Sequence, residues 1–163
     1  MRRQGSGERS VSAIAEFYIV PGSQVAKLKN AASSGYESYI PTLLEANVAR
    51  IQYKYSGWVL ATLLQVLPND YQINLMNSEK QLALALTELT EATHIVMTVA
   101  EKDTYAEKLD PALFSPEKLE KAYEDFNETK APGIGEIMQN GIRFLRAGLM
   151  QLTPETVAIL VIG

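Results

Sequence analysis

The chain has 163 residues, 47% of them apolar and 21% charged, with a formal net charge of −4 and no cysteine. That length buries one substantial core and is short for two domains. The acidic balance argues against nucleic acid or an anionic membrane as the main partner, and the missing cysteine removes disulfides, thiolate metal sites and cysteine nucleophiles together.

The first ten residues, MRRQGSGERS, are basic and rich in Gly and Ser but lack the apolar stretch of a signal peptide, so residues 1–10 are expected to be a flexible leader and 11–163 one domain. AIAEFYIV, from Ala13 to Val20, is rich in β-formers and stops at Pro21 and Gly22. Ser23 then starts a helix through about Ala32. Tyr36 to Glu45 reads two ways, because Pro41 belongs in a helix only in its first turn. From Val48 to Tyr55, Arg50, Gln52 and Lys54 alternate with Ala49, Ile51, Tyr53 and Tyr55, which is the period of an edge strand with one wet face. After Ser56 and Gly57 comes a helix whose apolar residues, Trp58, Leu60, Leu63, Leu64 and Leu67 among them, lie nearly all round it, predicting burial on most sides. Pro68, Asn69 and Asp70 end it, and YQINLM is a short candidate strand.

Ser78 with Gln81 fits a capping box ahead of a helix carrying Leu82, Ala85, Leu86 and Leu89. HIVMTV reads as a strand covered on both faces. Ser115 followed by Pro116 is an N-cap with proline at the first helical position, leading a stripe of Leu119, Ala122, Tyr123 and Phe126. Ile134, Met138, Ile142, Leu145, Leu149 and Leu152 then repeat at helical spacing before Thr153 and Pro154 turn the chain into TVAILVIG. Strands at both chain ends with helices between them predict an α/β domain: a mixed sheet flanked by about five to six helices, its last strand central. The longest apolar run, WVLATLL, is far shorter than a bilayer requires, so no membrane partner is expected and a cytoplasmic location is.

The block THIVMTVAEKDTYAEKLDPALFSPEKLEKAYEDFNETKAPGI, followed by a long helix and TVAILVIG, resembles the C-terminal half of the YfbM-like family of small bacterial proteins. AEFYIVPGSQVAKL and YKYSGWVLATLLQVL look like that family's opening strand and helix and its Trp-led central helix. The resemblance implies a shared α/β architecture and no activity, since the family has no assigned function. Here Lys54 precedes Trp58 without the family's Asp beside it, no His follows, and the family's Tyr-Pro-Gly turn is Ala131, Pro132 and Gly133, so polar groups of a shared pocket are missing.

His94 is the one histidine, at the mouth of an apolar strand, where a packed or hydrogen-bonded role is the expectation. Glu101, Asp103 and Glu107 lie on an acidic helix among Lys102 and Lys108, the pattern of a solvated face. Gly133, Ile134, Gly135 and Glu136 hint at a phosphate loop, but Met138 replaces its third glycine and Glu136 repels an anion, so a turn and helix cap is expected. No catalytic set, metal site or cofactor is assigned. Tyr36, Tyr39, Tyr53, Tyr55 and Trp58 crowd one region beside the edge strand. The expected function is a non-catalytic module binding a regulatory or immunity-type protein partner or a second copy of itself, with Tyr53, Tyr55, Trp58, His94 and Glu101 as candidate contacts. The rival is a small-molecule or hydrolytic site where Trp58, the tyrosines, His94 and Glu101 converge.

Overall fold

The computed structural model describes residues 13–163; the leader expected over residues 1–10 lies outside them. Among the described residues the protein is a single α/β domain with four strands, β1 (Ala15–Pro21), β2 (Ala49–Gln52), β3 (Thr93–Met97) and β4 (Thr156–Ile162). Seven α-helices lie between them: α1 (Val25–Ser33), α2 (Tyr36–Ala46), α3 (Gly57–Tyr71), α4 (Lys80–Thr90), α5 (Val99–Tyr105), α6 (Pro116–Asn127) and α7 (Ile134–Met150). The sheet order is β2-β1-β4-β3, so the last strand is central, as its wholly apolar sequence predicts, and it pairs with the first.

Every pairing is antiparallel, where a mixed sheet was expected. A single helix between two strands returns the chain parallel. Here β1 and β2 are joined through α1 and α2, and β2 and β3 through α3 and α4. The second helix of each pair reverses the direction once more.

Three layers result. Ala15, Phe17, Ile19, Ile95, Met97, Ala158 and Leu160 face one way, onto Leu60, Leu63 and Leu67 of α3 and Met138, Ile142, Leu145 and Leu149 of α7. Tyr18, Val20, Val96, Ile159 and Val161 face the other, onto Leu28 of α1, Tyr39 and Leu43 of α2, and Leu86 of α4. Both faces of β4 are therefore dry, which explains its apolar run from Val157 to Ile162, whereas β1 keeps one carboxylate, Glu16, which pairs with Arg50. Phe17 lies so close to α7 that a Cβ placed on Gly148 would stand 2.5 Å from its ring.

Several elements depart from their sequence signals. α2 carries Pro41 at its sixth residue, beyond the first turn, at the loss of one backbone bond. α3 runs through Pro68 to Tyr71, Gln72 takes the left-handed conformation that ends it, and Leu75 and Met76 lie in a turn, so the candidate strand does not form. α4 starts at Lys80 without a side-chain cap, so Ser78 is not the cap residue that its spacing to Gln81 suggests. Ser115 does cap α6, its hydroxyl accepting from Lys118 N–H at 3.3 Å with Pro116 first in the helix, but Phe126 is exposed instead of completing the stripe. No helix among the described residues is long and apolar enough to cross a membrane.

Candidate functional site

β2 is an edge strand, as its alternation predicts, and the chain leaving it builds an aromatic corner. Tyr53 donates its N–H to Ala15 O at 2.9 Å, which sends its ring to the α7 side of the sheet, where it is buried. Its hydroxyl donates to Ile137 O on α7 at 2.8 Å, and its ring meets Phe144 and Tyr55 at centroid distances of 5.2 and 5.7 Å. Burial pushes the Tyr53 phenol upward, keeping the proton that this bond needs. Tyr55, against the Tyr53 ring, is 40% exposed, and Trp58, three residues on, is 55% exposed. Trp58 is held in the first turn of α3, where its N–H donates to the Ser56 cap oxygen at 3.2 Å and Gly57 N–H donates to Ala13 O at 2.7 Å.

Between β2 and α7 runs an open groove of about 320 Å³, with Ile51, Tyr53, Tyr55 and Phe144 as apolar lining and Lys54 and Arg143 as its two charged lining groups. Arg50, on the other face of the strand, is spent locally. Its guanidinium contacts Glu16 at 2.6 and 2.7 Å and lies over the Tyr18 ring, while the Tyr18 phenol, which also donates to Glu16, is pushed up to about 12 by burial and then by that carboxylate.

His94 lies on the opposite sheet face. Its backbone N–H donates to Thr87 Oγ1 at 2.9 Å. Nδ1 is 2.7 Å from Ala92 O, and because a carbonyl only accepts, Nδ1 carries the proton. Nε2 is then an acceptor, and Tyr39 Oη, 3.0 Å away, donates to it. Burial lowers the imidazole below its ordinary pKa, outweighing the opposing Ala92 carbonyl, and raises the Tyr39 phenol, so each group keeps the protonation state the other requires. A cleft of about 240 Å³ reaches His94 beside Asn74, Lys80 and Leu84, and neither Trp58 nor Tyr53 nor Tyr55 lines it.

Glu101 is buried and structural. Thr98 caps α5, and Glu101 Oε1 accepts from Thr98 N–H at 2.8 Å and from Ser78 Oγ at 2.6 Å, completing a capping box. Thr98 and Glu101 are spaced as such a box requires, a signal legible in TVAE directly after an apolar strand. Asp103 and Glu107 are exposed, as expected of interleaved charges. Gly133 is the left-handed residue before α7, and its N–H donates to Glu120 Oε1 at 2.8 Å, so this segment is a turn held by a carboxylate. It borders an acidic surface hollow with Glu117, Glu124, Asp125 and Glu128.

The five candidate residues thus fall into three places: Tyr53, Tyr55 and Trp58 at the β2 corner, His94 under α2 and α4, and Glu101 in a helix cap. Lys54 and Arg143 were not singled out by sequence reasoning. Arg143 reads as an ordinary wet position between Ile142 and Phe144, and only packing of α7 beside β2 brings it to the groove. No family model, curated protein or solved structure matches the chain.

Proposed function

We propose that this protein is a non-catalytic binding module that holds another protein against the corner formed by β2, the turn after it and the start of α3. The observation carrying this reading is the exposure of Tyr55, seated against the buried Tyr53, and of Trp58 at the start of α3 three residues on. Large rings with two side-chain torsions lose little conformational freedom on contact and contribute much buried area, which is why Trp and Tyr dominate binding energies. The polar candidates are occupied: His94 uses both ring nitrogens within the fold, and Glu101 accepts bonds from Thr98 and Ser78. A regulatory or immunity-type partner suits such a module. Kinship with the YfbM-like family belongs to the same proposal, supported by the order of elements from His94 to Gly163.

The test is affinity capture from the native host extract at low salt, comparing the protein with a Tyr55→Ala/Trp58→Ala double variant. Both side chains are exposed, so the variant is expected to keep the parent melting temperature. A partner retained in stoichiometric amount by the parent and lost by the variant supports the reading. Equal retention by both proteins, or no stoichiometric partner for the parent, overturns it.

A further inference from the structure

The register of β2 decides which backbone groups the sheet shows to solvent. Ile51 stands opposite Phe17, and Tyr53, two residues on in the same register, donates its N–H to Ala15 O at 2.9 Å; the register breaks only before Ala49, where Val48 N–H donates to Ile19 O at 2.8 Å. Alternate residues of an antiparallel strand bond to the same neighbour, so the N–H and C=O groups of Arg50 and Gln52 project outward. Among the described residues they meet no partner there. The strand's side chains alternate likewise, and Ile51 points to the α7 side, where the groove lies.

Charge narrows the occupant. The chain is acidic overall, with a net charge of −4, yet the groove's charged lining is Lys54 and Arg143 alone, both exposed. Arg50 is already neutralised by Glu16. We infer that the outer edge of β2 takes an extended acidic segment of a partner protein as a fifth strand. Every second residue of an added strand would enter the groove, where carboxylates meet Lys54 and Arg143 and apolar side chains meet Tyr55 and Phe144. Its other residues face Arg50 and Gln52. A second copy fits poorly, because self-pairing sets the same cationic edge against itself. The chain's own first ten residues carry Arg2, Arg3 and Arg9 and match the groove in sign.

This inference deepens the proposed function and rests on it. Its test is selection of a random octapeptide display library on the intact protein, followed by ¹⁵N-resolved titration of the enriched peptides. The expected peptides alternate acidic and apolar residues, shift the amides of Arg50 and Gln52 and slow their hydrogen exchange. A folded Lys54→Glu/Arg143→Glu variant is expected to bind them about tenfold or more weakly, and added salt to weaken the parent's binding. Failure to enrich, enrichment indifferent to Lys54 and Arg143, or amide shifts away from β2 overturns strand addition. So does a dimer of the protein alone in which the Arg50 and Gln52 amides are already protected. A host protein lost by Tyr55→Ala/Trp58→Ala but kept by Lys54→Glu/Arg143→Glu leaves the module reading standing and removes this one. A host protein lost by both variants supports both.

Discussion

His94 shows how burial turns a functional-looking side chain into a structural one, and it leaves a measurable trace. The unfolded imidazole takes up its proton near pH 6.5, whereas burial holds the folded imidazole neutral to lower pH. Between those two values the unfolded chain binds more protons, so stability from this residue is complete above about pH 6.5 and is lost as pH falls toward the folded value. No other histidine is present. The urea midpoint of the parent is therefore expected to fall more steeply between pH 7 and 5 than that of His94→Gln, and parallel slopes would sink the assignment. Tyr39→Phe removes the donor to Nε2 and is expected to cost about 1–3 kcal/mol near neutral pH. Glycines separate two further causes at the same scale. Gly148→Ala drives a Cβ to 2.5 Å from the Phe17 ring and is expected to cost about 1–3 kcal/mol through overpacking. At Gly35 the same substitution meets nothing within 4 Å but sits at φ 107° and ψ 169°, a region essentially reserved for glycine, so its cost, about 1–3 kcal/mol, comes from the backbone alone. Relief by Phe17→Leu in the urea midpoint should be confined to Gly148→Ala.

The helix caps show which elements sequence can announce. Ser115 with Pro116, the α7 stripe and the alternation of β2 are local patterns; the first two form where their residues predict, and the edge strand forms over Ala49–Gln52, within the expected Val48 to Tyr55. Ser78 and Thr98 both offer the spacing of a capping box, and the chain uses only the second: Glu101 accepts from Thr98 N–H, and Ser78 donates its hydroxyl to the same carboxylate oxygen. Propensity alone does not decide between two such sites; the tertiary approach of residues 72–79 to α5 does. Similarly, YQINLM has strand composition, but Tyr71 completes α3, Gln72 is its left-handed cap and Leu75 and Met76 lie in a turn outside the ladder. Thr98→Ala is expected to cost about 1 kcal/mol as a lost N-cap. Because Glu101 is buried, removing Ser78 as well leaves its oxygen short of both hydroxyl partners, and the double variant should lose more than the sum of the single losses. A thermodynamic cycle read from urea midpoints checks this, additivity being the outcome that removes the coupling. The groove is half legible in the same sense: Tyr53 and Tyr55 directly follow a recognisable edge strand, whereas Arg143 belongs to a helix whose placement no local pattern encodes.

At the scale of the whole molecule, stability is concentrated in the pairing of the first strand with the last. β4 bonds to β1 over residues Ala15 to Pro21 and to β3 over Thr93 to Met97, so it is the element through which both halves of the sheet are joined. Its residues Ala158, Ile159, Leu160 and Ile162 supply both cores, alternately to the α7 side and to the α2 side. β2, by contrast, has four residues and, among the described residues, one neighbour, which frees its outer edge for contact without placing the core at risk. Cutting the chain before Thr156 removes the ladder on two strands and the apolar inner surface of both helical layers at once. The truncated chain is expected to keep helical far-ultraviolet ellipticity while losing its near-ultraviolet signal and its cooperative urea transition. Exposed-edge changes such as Gln52→Thr are expected to move the midpoint by less than about 0.5 kcal/mol equivalent. A cooperative transition surviving in the truncated chain would show that the helical layers hold together without the central strand, and the division of labour between a structural centre and a binding edge would then fall.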